Sequence, residues 1–501
     1  MASNFATVPE LLSSAANRFG HTPAIVTNES SESFRQLADS VRGAATALGA
    51  RGLRPGDRVL MAAPNSPALV HVWLGTIWAG GIPAAVNPES TPAEIDYLVD
   101  DLQPRITLHQ EELELLGATT TAAAGATAAT VDPLDVAAIV YTSGTTSRPK
   151  GVMVRHAAYT ETGQSFPSWI GLAPTPTLPR KRGRERQVER LWACLPLFHI
   201  NAQAYSLMSS LAHGFALALS PKFHATTFWQ EARALNVTAV NMVGAMLEFI
   251  AQQPETNWVE SPLRTIYAAP GPDPEQRAAL EARFGVRIVT GYGLSENPFG
   301  CIESPTSRTK RGSIGRPRQP VSGAFTNELR LVRPDGADAP DGEVGELCFR
   351  NPVITPGYWK ASEITREALR DGWLRTGDAG TVDRDGDVFL TGRYKEMIRR
   401  RGENIAPAEV EDALRAHPAV RAVAVFGISL GLREEEVLAA VVLKDGEDID
   451  EGALRAFVAG RLAAHKIPSR ILFRDSLPMT TTQRVAKDLL RQEYGRAASR
   501  D

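Results

Sequence analysis

The chain has 501 residues, of which 43% are hydrophobic and 22% charged, and this excludes both a mini-protein and a disordered chain. Its 54 Lys and Arg residues are balanced by 57 Asp and Glu residues, so the net charge of -3 favours neither nucleic acid nor an acidic membrane surface as a partner. We therefore expect a globular protein of several domains whose ligands are selected by local sites.

The cysteines and the N-terminus bear on the compartment. Cys194, Cys301 and Cys348 are odd in number and widely spaced, which indicates neither a disulfide framework nor a zinc site. Residues 1–20 lack the basic and apolar regions of an export signal. These features predict a cytoplasmic protein with no nucleic-acid partner and no membrane insertion, while the oligomeric state stays open.

Helices alternate with strands along the first 300 residues or so. Residues 33–53 space their apolar side chains at helical intervals, and residues 55–65 follow as a turn and a short strand. The same alternation recurs over residues 228–244 and 275–293. This order is typical of α/β proteins, in which parallel sheets are covered by helices.

Other segments differ in character. Residues 118–131 are small and uniform and read as a surface connection, and residues 173–190 combine prolines with a basic run. That run contains glutamates and no interleaved aromatic residues, so a solvated loop is a better interpretation than a nucleic-acid patch. After about residue 320, short strands such as 327–332 and 345–350 alternate with turns, which predicts a small β-rich subdomain.

The segment most informative about function follows an apolar strand, Ala137–Tyr141. A run of glycines and hydroxyl residues comes next and ends at Lys150. Glycine allows close approach to an anion, and N–H groups, hydroxyls and a lysine donate to phosphate oxygens. The run lacks the Walker A pattern, and an ordinary surface turn can have a similar composition.

Residues 141–152, YTSGTTSRPKGV, resemble the signature loop of the adenylate-forming superfamily, which includes the AMP-forming acyl-CoA synthetases. Residues 291–296, 374–378 and 392–411 resemble further motifs of that superfamily, in the same order and spacing. The wording around residues 195–206 resembles the carnitine and crotonobetaine CoA ligase branch. The resemblance implies a large N-terminal α/β domain, residues 1–394, with parallel-rich sheets and a β-rich subdomain. A small mobile α+β lid, residues 395–501, would follow, with its hinge at Lys395.

The resemblance also implies a nucleotide site and its ligands, ATP and Mg²⁺. Glu296 would hold Mg²⁺, Ser295 would donate to the α-phosphate, and Asp378 and Arg393 would contact the ribose or phosphate. Taken alone, Glu296 could equally be a helix-start carboxylate, and Asp378 and Arg393 could be turn or salt-bridge residues. The residues assigned to the phosphates are Thr142, Ser143, Gly144, Thr145, Thr146 and Lys150, and those assigned to the adenine are Ala269, Pro270, Gly271, Gly291, Tyr292 and Gly293.

An acid pocket and a thioester loop are implied in the same way. Phe198 and His199 would border the acid, with His199 gating it or orienting its carboxylate, and Asn241, Gly244 and Ala245 would form pocket wall. A core histidine and a plain strand-to-helix segment are the alternatives. The loop that contains Gly402, Glu403 and Asn404 would meet the pantetheine arm of coenzyme A, although a β-turn is the simpler interpretation.

The C-terminal motif departs from the superfamily pattern. Relatives place there a lysine that bridges the substrate carboxylate and the phosphate, whereas this chain has Arg484 at the aligned position and Lys487 three residues later. Arginine keeps the charge but has a planar fork, so it is not an equivalent replacement. Either Arg484 substitutes for the lysine, or Lys487 does, or the acid is unusual.

The function predicted from these features is an ATP-dependent, AMP-forming ligase that adenylates a small carboxylic acid and transfers the acyl group to coenzyme A. Two alternatives stay open at this point. A diazotase-like enzyme would adenylate nitrite and couple it to an aryl amine, and a catalytically impaired homologue would only bind the nucleotide.

Overall fold

The computed structural model describes residues 6–118, 126–142, 149–172, 189–272, 274–304, 310–393, 396–400, 403–429, 435–479 and 485–498. The chain separates into two compact units. The first comprises Met1–Leu329 and Phe349–Leu374, and the second comprises Arg330–Cys348 and Arg375–Asp501. No helix among the described residues is long and apolar enough to cross a membrane.

The first unit is built on parallel sheets covered by helices. Its helices are α1 (Val8–Phe19), α2 (Phe34–Ala50), α3 (Pro67–Trp78), α4 (Pro92–Leu102), α5 (Gln110–Gly117), α6 (His156–Trp169), α7 (Met208–His213), α8 (Phe228–Ala234), α9 (Gly244–Ala251), α10 (Pro274–Phe284) and α11 (Ser362–Ala368). Its strands are β1 (Pro23–Val26), β2 (Ser31–Ser33), β3 (Arg58–Ala62), β4 (Ile82–Val86), β5 (Ile106–His109), β6 (Val136–Thr142), β7 (Lys150–Arg155), β8 (Arg190–Ala193), β9 (Ala216–Leu219), β10 (Ala239–Val243), β11 (Thr265–Ala269), β12 (Arg287–Tyr292), β13 (Cys301–Ile302) and β14 (Ser313–Pro317).

Six neighbouring strands of the largest sheet run parallel, in the order β12-β11-β10-β8-β9-β1. A second parallel sheet has the order β4-β3-β5, and β6 and β7 form an antiparallel pair. These strands are almost wholly apolar because both faces of the parallel sheets are covered. Capping boxes Thr7/Glu10, Ser33/Gln36 and Thr91/Glu94 begin α1, α2 and α4, so the sequence itself marks where these helices start.

The segment between residues 328 and 393 is rich in strands and contributes to both units. It contains β15 (Glu328–Val332), β16 (Gly345–Arg350), β17 (Leu369–Arg370), β18 (Trp373–Val382) and β19 (Val388–Arg393). The remainder of the second unit contains β20 (Ile398–Arg400), β21 (Glu403–Ile405), α12 (Pro407–Arg415), β22 (Val420–Ser429), β23 (Glu435–Leu443), α13 (Glu451–Ala459), β24 (Arg470–Phe473) and α14 (Lys487–Ala498). Strands β22, β23 and β24 form one sheet, and α12 and α13 pack apolar side chains on it.

The structure confirms the α/β fold class and the separate small C-terminal unit. The predicted helix and strand pairs correspond to α2 with β3, α8 with β10, and α10 with β12, and the predicted β-rich segment contains β15 and β16. Half of residues 118–131 and most of residues 173–190 lie outside the described residues, as do residues 394 and 395. The boundary between 394 and 395 therefore stays a prediction.

His156 ties the N-terminus to the first unit and should make its stability depend on pH. The ring is 2% exposed at the start of α6, and its Nδ1 accepts a hydrogen bond of 3.3 Å from the Val8 N–H at the start of α1. Burial lowers the pKa of His156 to about 4, although Asp135, Glu10 and Asp132 act in the opposite direction. The imidazole is therefore neutral in the folded protein at pH 7.

We expect the free energy of unfolding to fall as the pH drops from about 6.5 towards 4. In this window the unfolded chain protonates His156 and the folded chain does not, so the histidine contributes a loss of about 1.4 kcal/mol per pH unit. Urea denaturation at pH 7, 6 and 5 measures the change. In His156→Gln, which keeps an acceptor but does not titrate, the loss should be smaller by that amount. Equal losses in both proteins would contradict the assignment.

Candidate active site

Four adjacent parallel strands bring three predicted groups of site residues to one edge of the largest sheet. Strands β8, β10, β11 and β12 are neighbours, and all run in the same direction. Their carboxyl ends therefore lie side by side, and this edge is where α/β sheets bind ligands. Phe198 and His199 follow β8, and Gly291–Glu296 end and follow β12. Asn241 lies within β10, and Gly244 begins α9 directly after that strand. Ala269 ends β11, and Pro270 and Gly271 follow it.

The segment Ala269–Gly271, which is predicted to line the adenine, packs closely against its neighbours. A Cβ atom at Gly271 would collide with the Thr290 side chain of the neighbouring strand. A Cβ atom at Gly244 would lie 2.6 Å from the carbonyl oxygen of Pro270. Both positions need glycine, because the Thr290 side chain fills the space at Gly271 and a backbone carbonyl fills it at Gly244. The structure therefore joins a predicted acid-pocket residue, Gly244, directly to the predicted adenine segment.

The loop that follows β12 combines buried and accessible residues. Tyr292 is 9% exposed, and its ring stacks on Phe349 with 6.3 Å between ring centroids. Gly293 leaves no room for a side chain, since its Cβ would lie 2.7 Å from the Tyr205 hydroxyl. Ser295 is half-buried, and its hydroxyl makes no hydrogen bond with any residue that the structure describes. It is free to donate to a ligand.

Glu296 is held in a geometry that suits a metal ligand. The Tyr358 hydroxyl donates a hydrogen bond of 2.7 Å to Glu296 Oε1, and the Thr355 N–H donates to the Glu296 carbonyl oxygen at 2.8 Å. Oε2 makes no hydrogen bond within the described part of the chain, and the residue is half-buried. One carboxylate oxygen is thus oriented and the other is open, and carboxylate oxygen is the donor that Mg²⁺ prefers.

The predicted phosphate loop connects two antiparallel strands. Thr142 at the end of β6 pairs directly with Lys150 at the start of β7. Ser143, Gly144, Thr145 and Thr146 lie outside the described residues. Lys150 Nζ is 5.9 Å from the centroid of the Tyr358 ring. The strand pair therefore places the lysine beside the tyrosine that orients Glu296.

Sequence reasoning did not identify Tyr358. It lies beside Lys150 because the chain after Gly357 runs along β7: the Trp359 N–H donates to the Gly151 carbonyl at 2.7 Å, and the Met153 N–H donates to the Gly357 carbonyl at 3.1 Å. The only local signal was an aromatic pair directly after a Pro-Gly dipeptide. That signal marks a turn but does not indicate its partner.

The segment after β8 has irregular helical geometry. His199 is exposed, its N–H donates to the Pro196 carbonyl at 3.0 Å, and its ring is 4.4 Å from the Phe198 ring. Partial desolvation lowers the pKa of His199, so the imidazole is neutral at pH 7. Residues Asn201–Leu207 then form a π-helix, a geometry that is frequent at functional sites.

Asn241 and Ala245 complete the predicted acid pocket. Asn241 is 2% exposed, and its Nδ2 donates to Ser206 Oγ at 2.9 Å. Its Oδ1 is buried and has no partner among the described residues. Ala245 is exposed in the first turn of α9. A buried amide oxygen without a donor is costly, so this atom is suited to accept a hydrogen bond from water or from a ligand.

In the second unit, Asp378 and Arg393 contact each other. They are directly opposite in the antiparallel pair β18 and β19, with 3.1 Å between Arg393 Nη1 and Asp378 Oδ1. Arg393 also donates to the Thr376 carbonyl at 3.2 Å. The Asp378 side chain is largely buried and the Arg393 side chain is one-third exposed. The strand register thus brings the two predicted ribose residues together.

The remaining predicted residues of the second unit are partly described. Glu403 and Asn404 lie in β21, whereas Lys395, Gly402 and Arg484 lie outside the described residues. Lys487 begins α14, and its Nζ is 2.7 Å from Glu411 Oε1 and 3.6 Å from Glu396 Oε2. Its side chain is 16% exposed. Lys487 therefore has two carboxylate partners within its own unit.

Comparisons with known proteins cover nearly the whole chain. Residues 12–359 match the family model described as AMP-binding enzyme, and residues 409–484 match that of the AMP-binding enzyme C-terminal domain. The chain is 30% identical to a sulfoacetate–CoA ligase of Cupriavidus necator, over 96% of this chain and 97% of that protein. It is 32% identical to a feruloyl-CoA synthase of Amycolatopsis, over 95% and 96%. The crystal structure of ATP-bound MatB from Rhodopseudomonas palustris matches with a TM-score of 0.85 at 25% identity, covering 98% of this chain and 99% of that one.

Proposed function

Because the chain belongs to the AMP-binding enzyme family, as an AMP-forming acyl-CoA synthetase of the adenylate-forming superfamily, we propose that it converts a small carboxylic acid to its coenzyme A thioester with cleavage of ATP to AMP and pyrophosphate. One observation supports this proposal more than any other. Glu296, with one oriented and one open carboxylate oxygen, follows the strand beside the adenine segment and is linked through Tyr358 to Lys150.

The reaction has two steps, acyl-adenylate formation and thioester formation. A carboxylate oxygen of the acid attacks the α-phosphorus of ATP, and pyrophosphate leaves with the electron pair of the broken P–O bond. The thiolate of coenzyme A then attacks the acyl carbon, and AMP leaves. Both substrates of the first step are anions, so cations and donors must offset their repulsion at the phosphates.

The residues assigned to the nucleotide fit these needs. Lys150 supplies a cation, and Thr142, Ser143, Gly144, Thr145 and Thr146 donate to the β- and γ-phosphates. The Ser295 hydroxyl, which makes no hydrogen bond with the described residues, donates to the α-phosphate. Tyr292, with Ala269, Pro270, Gly271, Gly291 and Gly293, encloses the adenine. Asp378 accepts from the ribose hydroxyls, and Arg393, which contacts Asp378, holds that carboxylate in place.

Glu296 is the residue that would hold Mg²⁺. The open Oε2 supports this assignment, since a hard oxygen donor is already positioned by the hydrogen bond from Tyr358 to Oε1. A bound Mg²⁺ would neutralise charge on the phosphates. The protein's own part is to keep the Glu296 carboxylate oriented and accessible.

The acid would lie near Phe198, His199, Asn241, Gly244 and Ala245. Asn241 Oδ1, which has no partner in the described part of the chain, and the neutral His199 ring supply acceptors and donors without adding charge. For the thioester step we assign the loop containing Gly402, Glu403 and Asn404 to the pantetheine arm, with the hinge at Lys395 between residues 1–394 and 395–501. A cytoplasmic location, predicted from the sequence, belongs to the same proposal.

The test is an assay of both half-reactions with an acid panel. Acetate, sulfoacetate, ferulate, 2-succinylbenzoate and oxalate are each incubated with Mg²⁺-ATP, with and without coenzyme A. We expect pyrophosphate and AMP with at least one acid and a CoA thioester when coenzyme A is added. Cleavage of ATP to ADP would contradict the proposal. So would AMP formation that requires nitrite and an aryl amine instead of an acid.

A further inference from the structure

A fully buried arginine lies beneath the predicted site and belongs to none of the groups assigned above. Arg318 directly follows β14 and is 1% exposed. Among the described residues no carboxylate lies within ion-pair distance of its guanidinium. Burying an arginine without an acidic partner is costly unless its N–H groups are hydrogen-bonded. The hydrogen-bond partners of Arg318 therefore indicate which segments of the chain this buried side chain holds together.

The guanidinium donates to four oxygen atoms. Nε donates to the Cys301 carbonyl at 3.0 Å, and Nη1 donates to the Pro298 carbonyl at 3.0 Å and to the Tyr205 hydroxyl at 2.8 Å. Nη2 donates to the Tyr267 hydroxyl. Tyr205 in turn donates to the Pro298 carbonyl at 2.7 Å. The planar fork of arginine can reach all four acceptors at once, which a lysine ammonium cannot do.

Aromatic rings surround the same charge. The guanidinium carbon is 5.1 Å from the ring centroids of Trp169 and Tyr205 and 5.3 Å from that of Tyr267. Phe166 stacks on Tyr205, with 4.7 Å between ring centroids and 9° between ring planes. Cation–π attraction in a desolvated site offsets part of the cost of burial. The arginine is therefore held in one place and in one orientation.

These partners connect three segments of the predicted site. Pro298 and Cys301 are the end of the loop that begins at Tyr292 and contains Ser295 and Glu296. Tyr205 lies in the π-helix that follows His199. Tyr267 lies in β11, two residues before Ala269. One guanidinium thus contacts the loop that contains Ser295 and Glu296, the π-helix that follows His199, and the strand that ends at Ala269.

Two glycines, Gly291 and Gly293, allow Arg318 and its tyrosine partners to lie directly against the backbone that leads to Ser295 and Glu296. A Cβ atom at Gly291 would collide with Arg318 Nη2 and would lie 2.7 Å from the Tyr267 hydroxyl. A Cβ atom at Gly293 would lie 2.7 Å from the Tyr205 hydroxyl. A displacement of Arg318 is therefore transmitted to the backbone that carries Ser295 and Glu296, since packed interiors transmit small shifts.

We propose that Arg318 is a positioning residue for acyl-adenylate formation. It fixes the position and direction of the backbone from Gly291 to Cys301, and thereby the positions of Ser295 and Glu296. This assignment rests on the proposed function, because it names a residue that supports that reaction. Arg318 does not touch the substrates, and its effect is exerted through the groups that do.

The test compares Arg318→Lys with the original protein in ATP–pyrophosphate exchange, using the best acid of the panel. We expect kcat to fall by about 10- to 100-fold, as for other small displacements of reacting groups. The Mg²⁺ concentration that gives half-maximal rate should rise several-fold. A merely structural role would lower the melting temperature and the active fraction without changing the Mg²⁺ dependence of the molecules that remain folded.

Arg283→Lys is the matched control. Arg283 also donates to two backbone carbonyls, those of Ala251 at 2.6 Å and Gln253 at 2.7 Å, and lies 4.8 Å from the centroid of the Phe284 ring. We expect this variant to keep the original kcat and Mg²⁺ dependence. If a folded Arg318→Lys behaves like this control, the proposal is wrong.

Two further measurements keep the test decisive. If Arg318→Lys does not fold, Tyr267→Phe removes one acceptor and keeps the ring, and it should change kcat and the Mg²⁺ dependence in the same direction by a smaller factor. If the original protein shows no ATP–pyrophosphate exchange with any acid of the panel, the proposed function has failed. Calorimetric binding of Mg²⁺-ATP then tests Arg318 alone, and an affinity unchanged by Arg318→Lys overturns its assignment.

Discussion

We expect Arg484→Ala to lower the rate of acyl-adenylate formation by about 10²- to 10³-fold, the loss observed when one transition-state donor is removed. Lys487→Ala should change this rate by less than about threefold, the size of effect typical of substitutions away from the reacting atoms. The difference follows from the partners of Lys487. Its Nζ contacts Glu411 and Glu396, and Glu411 also accepts from the Val425 N–H at 2.8 Å. Lys487 is therefore committed to its own unit.

Removing Lys487 should instead reduce stability. Glu411 and Glu396 are only 14% and 25% exposed, and they would lose the cation that compensates them. Breaking a largely buried pair by deleting one partner is destabilising, so the second unit should melt at a lower temperature. The two variants thus separate a role at the reacting atoms from a role in folding.

The measurement is ATP–pyrophosphate exchange with the best acid of the panel, together with a melting curve for each protein. Arg484→Lys is the control for charge, and it should recover part of the activity that Arg484→Ala loses. Glu411→Gln with Lys487 intact should reproduce the stability loss of Lys487→Ala without the rate loss of Arg484→Ala. A large fall in exchange by Lys487→Ala alone, at unchanged melting temperature, would show that Lys487 is the cation at the phosphate.

The second large effect is expected at Glu296. Glu296→Gln should lower the exchange rate by about 10²- to 10³-fold, because the amide keeps the shape of the side chain but lacks the charge that would bind Mg²⁺ and stabilise the transition state. Mg²⁺-ATP should bind more weakly, while AMP binding without Mg²⁺ should be unchanged. Tyr358→Phe removes the hydroxyl that donates to Oε1 and should give an intermediate loss with a raised Mg²⁺ requirement.

Calorimetric titration of each variant with Mg²⁺-ATP and with AMP measures these differences. Glu89→Gln is a suitable control, because Glu89 is 70% exposed and its carboxylate pairs with Lys222 on the surface. It should leave both affinities unchanged. If Glu296→Gln weakens AMP and Mg²⁺-ATP equally, the carboxylate supports the loop rather than the metal, and the assignment of Mg²⁺ to Glu296 fails.

Much of the site follows from the order of residues along the chain. Helix–strand alternation predicted a parallel sheet, and in such a sheet the segments that follow neighbouring strands meet at one edge. His199, Gly244, Ala269–Gly271 and Tyr292–Glu296 therefore lie at or after the ends of adjacent strands, although they span about a hundred residues. The roles assigned to the individual site residues stay predictions, and Ser143–Thr146, Lys395, Gly402 and Arg484 also lie outside the described residues.

The amino-acid sequence by itself therefore determined the class of fold, through its alternation of helices and strands, and the nucleotide chemistry, through motifs that resemble those of the adenylate-forming superfamily. Both signals lie in residues that are close together in the chain. Only the tertiary structure decided how these groups are supported. Tyr358 reaches Glu296 across 62 positions, Arg318 reaches Tyr205 across 113, and Lys487 is held by two glutamates of its own unit. Such contacts depend on which distant side chains share a buried volume, and no local pattern in the chain encodes that.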